Sequence, residues 1–512
     1  MTMRNDDALL RLHASDNVVI SKGDMQAGTE IPENGTLLTV TEAIPFGHKV
    51  ATADIGKDEA VRKYGQIIGF ASCEIAPGQH VHEHNLSFAE FDRQYDFGAD
   101  AVPTDYIPET ERATFQGIVR ADGRVATRNY LAVITSVNCS ATVARYISDH
   151  FRGPALDPWP NVDGVIALSH GAGCGTASHG DGWDYLRRCI AGYSEHPNIV
   201  GTLLLGLGCE INQVDSLVED LGLKLGETLH TKTIQDMGGT NASVREGIKC
   251  IEAMLPAAND VSRETVSASH IILGMECGGS DAFSGVTANP ALGAAADLLV
   301  RHGGTAILGE TPEIYGAEHL LIRRAQSEAV GRKLLDRISW WEDYTKKNGA
   351  VVDNNPSPGN KAGGLTTILE KSLGAVAKGG TSNLVEVYRY AEPVRSSGFV
   401  FMDTPGYDPV SVTGMVAGGA NVVCFTTGRG SVFGCKPTPS LKLATNSEMF
   451  SRMEEDMDIN CGSVVDGAAD IETMGRKIFE LILRTASGEP SKSEAFGFGD
   501  AEFVPWQVGA VL

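Results

Sequence analysis

Four apolar runs of this chain end in a thiol: LAVITSVNC at Cys139, GVIALSHGAGC at Cys174, VGTLLLGLGC at Cys209 and IILGMEC at Cys277. The first two intervals between these cysteines are equal, so the thiols recur at one phase of a repeating unit. Thiolates are soft ligands suited to iron or zinc. The last run continues as ECGGSDAFSGVTANPALG, which adds Glu276, Ser280, Asp281 and Asn289 around a glycine pair. An acid, a thiol, a hydroxyl and a second acid on a softened turn can hold a metal, move a proton or grip a hydroxylated ligand. PFGHKV puts His48 beside Lys49, a base next to a cation, which suits a carboxylate substrate. GQHVHEHN places His80, His82 and His84 on one face if the segment is a strand. His170 ends the run VIALSH and is a further base; Lys361 in NPSPGNKAGG and Arg429 in TTGRGS are cations for a carboxylate. Plainer readings stand beside each: buried cysteines at tight turns, solvated edge-strand histidines, acids that cap turns.

The elements that must position these residues are legible from periodicity. NVVI, GTLLTV, HKVATADI and GQIIGFA are short apolar runs between Gly, Pro and Asp turns, which predicts a small all-β domain over 1–88. A polar stretch with acids and prolines, 89–112, reads as a surface linker. From 113 the pattern changes to strand–loop–helix units, LAVIT with ATVARYISDHF and GVIAL with DGWDYLRRCIAGY among them. Strands alternating with helices predict parallel α/β sheets. The polar break SRETVSAS divides them into a first α/β domain over 113–261 and a second over 262–512. Ligands of open α/β sheets bind outside the carboxyl ends of strands, where this chain stores its polar residues.

Composition bounds the rest. With 512 residues, 42% hydrophobic and 21% charged, the chain has the make-up of a soluble multidomain protein. A net charge of −23 argues against nucleic acid or an anionic membrane as partner, though not against a small anion in a locally positive site. Ten cysteines in a chain of this size are expected as reduced thiols. There is no apolar stretch of about 18 residues and no signal-peptide core, so a cytoplasmic protein is expected. No G-x-G-x-x-G opens a helix after the first α/β strand and no G-x-S-x-G elbow is present, which speaks against dinucleotide and acyl-transfer readings.

ECGGSDAFSGVTANPALG, NPSPGNKAGGLTTILEKSLG, FTTGRGS and LKLATNSE resemble the altronate/galactarate dehydratase family of bacterial sugar-acid hydro-lyases. So do DGRVATRNYLAV, GLGCEINQ and the β-domain runs DNVVI, GHKVATADI and KYGQIIGFA, so the likeness spans nearly the whole chain. It implies an N-terminal SAF domain, dehydration of a polyhydroxylated acid to a 2-keto-3-deoxy product, and ferrous iron as cofactor, mononuclear or in a cluster. On this reading iron sits on Cys139, Cys174, Cys209, Cys277 and Glu276; His48, Lys49, His170 and Asp281 are catalytic; Ser280, Asn289, Lys361 and Arg429 bind substrate. Altronate is the first expected substrate and galactarate the second. A related lyase such as a sulfolactate sulfo-lyase, and a sugar-acid-binding protein without catalysis, are the alternatives. The chain departs from both branches at Ala172 and at Ser431-Val432-Phe433, where relatives tend to carry tyrosines. A homo-oligomer, a dimer, that takes a small hydroxy-acid substrate and has no nucleic-acid or membrane partner is expected.

Overall fold

A computed structural model describes residues 8–33, 35–91 and 93–509. At the N-terminus the short apolar runs pair antiparallel, as their turn-rich spacing predicts. Leu9–Leu10, Val18–Ser21, Lys49–Ala51 and His80–Val81 form one sheet in that order. Ala60–Lys63, Gln66–Ala71 and Leu86–Ser87 form a second sheet, and Glu30–Glu33 with Thr36–Thr39 a hairpin. Val18, Ala51, Val61, Ile68 and Val81 share one apolar cluster with Leu273, Leu292 and Ile368 far along the chain. The β-domain therefore shares a core with the C-terminal domain. The segment after it crosses that domain, held by Arg93 to Glu318 at 3.0 Å and by Arg323 to Asp96 and Asp100 at 2.7 and 2.6 Å.

The first α/β unit has four parallel strands in the order Gly164–Leu168, Tyr130–Thr135, Ile199–Gly206, Leu229–Thr233. Alternation along Tyr130–Thr135 covers both faces. Leu131 and Val133 pack under helices Ala141–Asp149 and Thr240–Asn259, while Ala132 and Ile134 pack under Asp181–Ser194 and Val214–Leu221. Within SRETVSAS, Glu264–Ser267 is a strand paired antiparallel with Thr114–Val119, its Thr and Val supplying β-branched side chains.

The C-terminal sheet has seven parallel strands: Leu384–Tyr388, Gly398–Met402, Thr305–Leu308, Ile272–Cys277, Val422–Thr427, Ser440–Ala444 and Ile459–Asn460. Both faces are covered, by Ala288–Arg301 with Ile471–Ala486 on one side and Asp408–Ala417 on the other. The chain builds outward from Ile272–Cys277 through Thr305–Leu308, then returns to lay Val422–Thr427 on its opposite edge. The crevice between the carboxyl ends of those two strands is a topological switch point, where open α/β sheets bind ligands. No helix among the described residues is long and apolar enough to cross a membrane.

Candidate active site

At the switch point the two strand exits are stitched together. Cys277 lies opposite Thr426, and the amide of Gly278 donates to the Thr426 carbonyl at 3.1 Å. The Gly279 carbonyl then accepts the amides of Gly428 and Arg429 at 3.1 and 2.8 Å. Gly279 sits at φ +61, and a Cβ there would lie 3.1 Å from Thr427 Oγ1, so the turn requires glycine. Asp281 ties three loops, accepting from Phe283 N at 3.1 Å and from Ser284 Oγ, Thr445 Oγ1 and Asn446 Nδ2 at 3.0 Å each. Burial pushes its carboxyl up, and these bonds consume it. It is a fastener rather than the expected base. Asn289 is likewise spent, donating to Gly374 O at 2.9 Å and accepting from Thr426 Oγ1 at 2.6 Å. The Ser280 hydroxyl is buried without a hydrogen-bond partner, so unlike Asp281 and Asn289 it keeps bonding capacity for a ligand.

Glu276 and Cys277 do not join the other thiols. Both are buried beside Glu310 and Glu313, with Cys277 Sγ 3.5 and 3.6 Å from carboxylate oxygens of these two residues. Glu310 leaves its strand at φ +66, a left-handed backbone costing a non-glycine residue about 1–2 kcal/mol. Glu276 Oε1 and Glu310 Oε1 have no other partner, and burial plus the Glu310 charge pushes the Glu276 carboxyl well above its ordinary value. Lys378 pairs with Glu310, and Lys371 with Glu313 at 2.7 Å. Two ammonium groups already neutralise the two carboxylates, and burial pushes the Cys277 thiol well above its ordinary value. The donor atoms of Cys277, Glu310 and Glu313 lie within 4.8 Å of one another. Of the two expected metal ligands on this strand, Cys277 thus joins a compact donor group with Glu310 and Glu313, whereas Glu276 lies outside it.

The second compact donor group lies where the β-domain meets the switch point. His48, His80 and His82 have ring nitrogens within 4.8 Å of one another. His48 Nδ1 and His80 Nε2 are 2.9 Å apart, and His82 Nδ1 has no hydrogen-bond partner. Strand alternation does not produce this group. The strand ends at Val81, and the following turn, closed by His82 N on Asn85 Oδ1 at 2.9 Å, swings His82 to His48 and leaves His84 exposed. Burial and mutual repulsion hold His80 down to about 3 and His82 to about 4, and burial with Lys49 lowers His48. All three are neutral at pH 7, with lone pairs available. His48 Nε2 faces the Ala362 carbonyl at 3.5 Å. Gly47, at φ +80, packs against Phe283, where a Cβ would lie 3.1 Å from the ring.

Lys49, next to His48, points the other way, as neighbours on a strand must. Its Nζ donates to Gly364 O at 2.7 Å and to the Glu370 carboxylate at 2.9 and 3.1 Å, in full burial. Lys63 reaches the same carboxylate at 2.9 Å. Two ammoniums share one acid, so burial holds Lys49 down to about 8, while Glu370 keeps Lys63 above its ordinary value despite burial. Lys49 anchors the β-domain and is not open to substrate, which corrects its catalytic assignment.

Cations do line the cleft. Phe46, Asp281, Ala362, Arg429, Glu448 and Arg452 are among the residues around it, and Arg429, Glu448 and Arg452 are exposed. Lys361, on the loop that carries Ala362, is partly exposed and pairs with Glu83 at 3.2 Å. Gly363 joins the parts: a Cβ there would be 3.0 Å from Asp281 Cβ and 3.2 Å from Arg429 Cδ. Arg452 escaped sequence reasoning because it ends a short helix, Ser447–Arg452, with no motif around it. Glu310, Glu313, Lys371 and Lys378 escaped too. The available signal was charge inside GETPE, inside the fully buried helix Ile368–Val376, and at Lys378 in the turn that follows it.

His170 is elsewhere. It is buried at the edge of the first α/β unit, Nε2 on the Thr135 carbonyl at 2.9 Å and Nδ1 accepting from Ala172 N at 3.2 Å. Both ring nitrogens serve the backbone, so it is a structural histidine, not the expected base. Cys139, Cys174 and Cys209 lie on that same rim and are all exposed. Phe433 is core, stacked on Phe425 at 5.2 Å.

Three family profiles match in succession: Altronate/galactarate dehydratase SAF domain over 7–89, D-galactarate dehydratase/Altronate hydrolase second domain over 117–259, and D-galactarate/Altronate dehydratase C-terminal over 268–511. A galactarate dehydratase (L-threo-forming) of Escherichia coli (strain K12) is 39% identical over 488 residues, covering 94% of this chain and 93% of the relative. An altronate dehydratase of the same organism is 35% identical over 491 residues, covering 96% and 97%. A (2R)-sulfolactate sulfo-lyase subunit beta of Chromohalobacter salexigens is 30% identical over 393 residues, covering 76% and 96%.

Proposed function

The chain belongs to the altronate/galactarate dehydratase family and is a sugar-acid hydro-lyase, and from that premise we propose that the cleft between β-domain and switch point is where water is removed. The observation that carries this reading is three imidazoles close enough to share one ion, with His48 facing the Ala362 loop that also borders the cleft holding Arg429 and Arg452. His48, His80 and His82 fit a divalent metal, their nitrogen donors matching ferrous iron. When bound, such an ion supplies Lewis acidity that eases departure of a hydroxyl. Arg429 grips the substrate carboxylate, with Lys361 at the loop beside it. Neutralising that carboxylate acidifies the C2–H bond. The C2 proton and the C3 hydroxide are lost together as one water, and the resulting enol takes a solvent proton at C3 as it ketonises to a 2-keto-3-deoxy acid. The orphaned Ser280 hydroxyl is available to a substrate hydroxyl.

Altronate is the first substrate proposed. Galactarate is the second, favoured by Arg452, whose guanidinium gives a second terminal carboxylate its own partner. Anaerobic iron-loaded chain should form a semicarbazide-reactive product from one of them without added nucleotide. In deuterated water, solvent deuterium should appear at C3. Sulfite released from sulfolactate would instead place the enzyme with the sulfo-lyases, and no keto product from any of the three acids would end the dehydratase reading.

Arg429→Ala should raise KM about 10- to 100-fold, since a charge-assisted hydrogen bond is worth about 1.5–3 kcal/mol. Steady-state kinetics at fixed ionic strength check this, and an unchanged KM would remove Arg429 from the carboxylate.

A further inference from the structure

We infer that Cys139, Cys174 and Cys209 form a binding rim for an iron–sulfur cluster, a second metal centre separate from the histidine group. The three cysteines follow Tyr130–Thr135, Gly164–Leu168 and Ile199–Gly206, which are adjacent parallel strands, so their exit loops meet on one edge. All three thiols are exposed, although cysteine is among the most buried residue types. What lies beneath them is polar, buried and interlocked. Asn138 donates its amide to Ala172 O at 2.8 Å and its side chain to His170 O at 2.9 Å, locking the Cys139 loop to the Cys174 loop. Ser136 Oγ donates to Glu210 at 2.6 Å, and the same carboxylate collects Leu207 N at 3.1 Å and Gly208 N at 2.7 Å, locking the Cys139 loop to the Cys209 loop. His170 closes the set on the Thr135 carbonyl. Ser136, His170 and Glu210 are at most 5% exposed. Ligands held by a fixed supporting layer are the arrangement that metal centres need.

The ligand class follows from donor type and spacing. Three thiolates are soft and suit iron–sulfur chemistry or zinc. A single zinc ion with bonds of about 2.3 Å needs its sulfurs within about 4 Å of each other. Among the described residues the three thiols are not one of the groups whose donors lie within 4.8 Å. A cluster gives each thiolate its own iron and so accepts the wider spacing. Gln235 Nε2 already donates to Cys209 Sγ at 3.4 Å, a hydrogen bond of the kind that tunes cluster sulfurs. On binding, three S–H protons pass to solvent as three Fe–S bonds form, and a cubane would keep a fourth iron without a protein ligand.

The full chain, stripped of metal, is incubated anaerobically with equal ferrous and ferric iron and inorganic sulfide, then desalted. The expected result is labile sulfide at about four per chain, with visible charge-transfer absorbance and protection of the three thiols from iodoacetamide. Cys139→Ser, Cys174→Ser and Cys209→Ser should each lower labile sulfide by about tenfold or more, whereas Cys277→Ser and His82→Ala should keep it. Matching thermal melts of the stripped variants separate lost ligation from lost folding. Iron without labile sulfide, or full sulfide in the triple serine variant, would overturn the inference. The readout is independent of turnover, so a cluster-loaded chain that yields no keto acid counts against the dehydratase cleft alone.

Discussion

His82→Ala should abolish both iron retention in the cleft and most turnover, with kcat down about 1000-fold. Lewis-acid stabilisation of a leaving oxygen is worth several kcal/mol, and each 1.36 kcal/mol is tenfold in rate. His82 is the informative position because its ring is only partly buried and its Nδ1 spends no hydrogen bond in the fold. Its truncation therefore removes a ligand without breaking a hydrogen bond at Nδ1, at the cost only of ring contacts with His48 and His80. His84→Ala is the control. That residue is exposed in the same turn and outside the compact group, so its loss should change kcat by no more than a few-fold. Iron per chain and kcat are measured on the same anaerobic samples, alongside a thermal melt. Unchanged iron and unchanged kcat in His82→Ala would refute the imidazole site, whatever the substrate proves to be.

Glu370→Gln should be the most destabilising single change, by about 3–5 kcal/mol, the range for breaking a buried ion pair from one side. Glu370 sits on the C-terminal domain, and its carboxylate faces Lys49 and Lys63 of the β-domain at 2.9 Å each, with Thr366 Oγ1 at 2.6 Å. The glutamine keeps the shape and leaves two buried ammoniums without a counter-charge. Denaturant unfolding should show the β-domain leaving first, and Lys49→Met added to Glu370→Gln should recover part of the loss. The pH dependence has a definite sign. Despite the cost of burial, Lys49 and Lys63 hold the Glu370 carboxyl far below its ordinary value. Its contribution to stability is therefore complete above about pH 4.3, the unfolded value, and is lost as pH falls below that toward the folded value. Stability of the variant should lack this acid-side slope. A wild-type slope in Glu370→Gln would show that the triad does not govern docking.

Docking matters to function because the proposed metal ligands belong to one domain and the substrate cations to another. His48 meets Ala362, and Gly363 is the next residue toward Arg429. Undocking the β-domain would separate the two halves of the site, so Glu370 and Lys49 act as positioning residues.

The sequence by itself determined which segments are strands and what each strand end carries. IILGMEC, VVCFTT and GVIAL are short apolar runs closed by glycine, and local periodicity sets that pattern regardless of the rest of the chain. It also determined the phase of Cys139, Cys174 and Cys209, because each unit repeats the same strand–loop–helix order. Only the tertiary structure decided which ends meet. Cys277 has the same local setting as the other three thiols, yet its strand is central in a different sheet, where it groups with Glu310 and Glu313 instead. His48 and Lys49 are neighbours in sequence but lie on opposite faces of a strand, so one reaches the cleft and the other a buried carboxylate 321 residues away. His82 joins His48 through a turn closed by Asn85, which no period of two foresees. His170 reads as a free base in sequence and is spent on Thr135 and Ala172 in the fold. The physical reason is common to all four. Side-chain chemistry and backbone preference are local properties, whereas pairing order, burial and the partner of a charge depend on contacts between segments far apart in the chain.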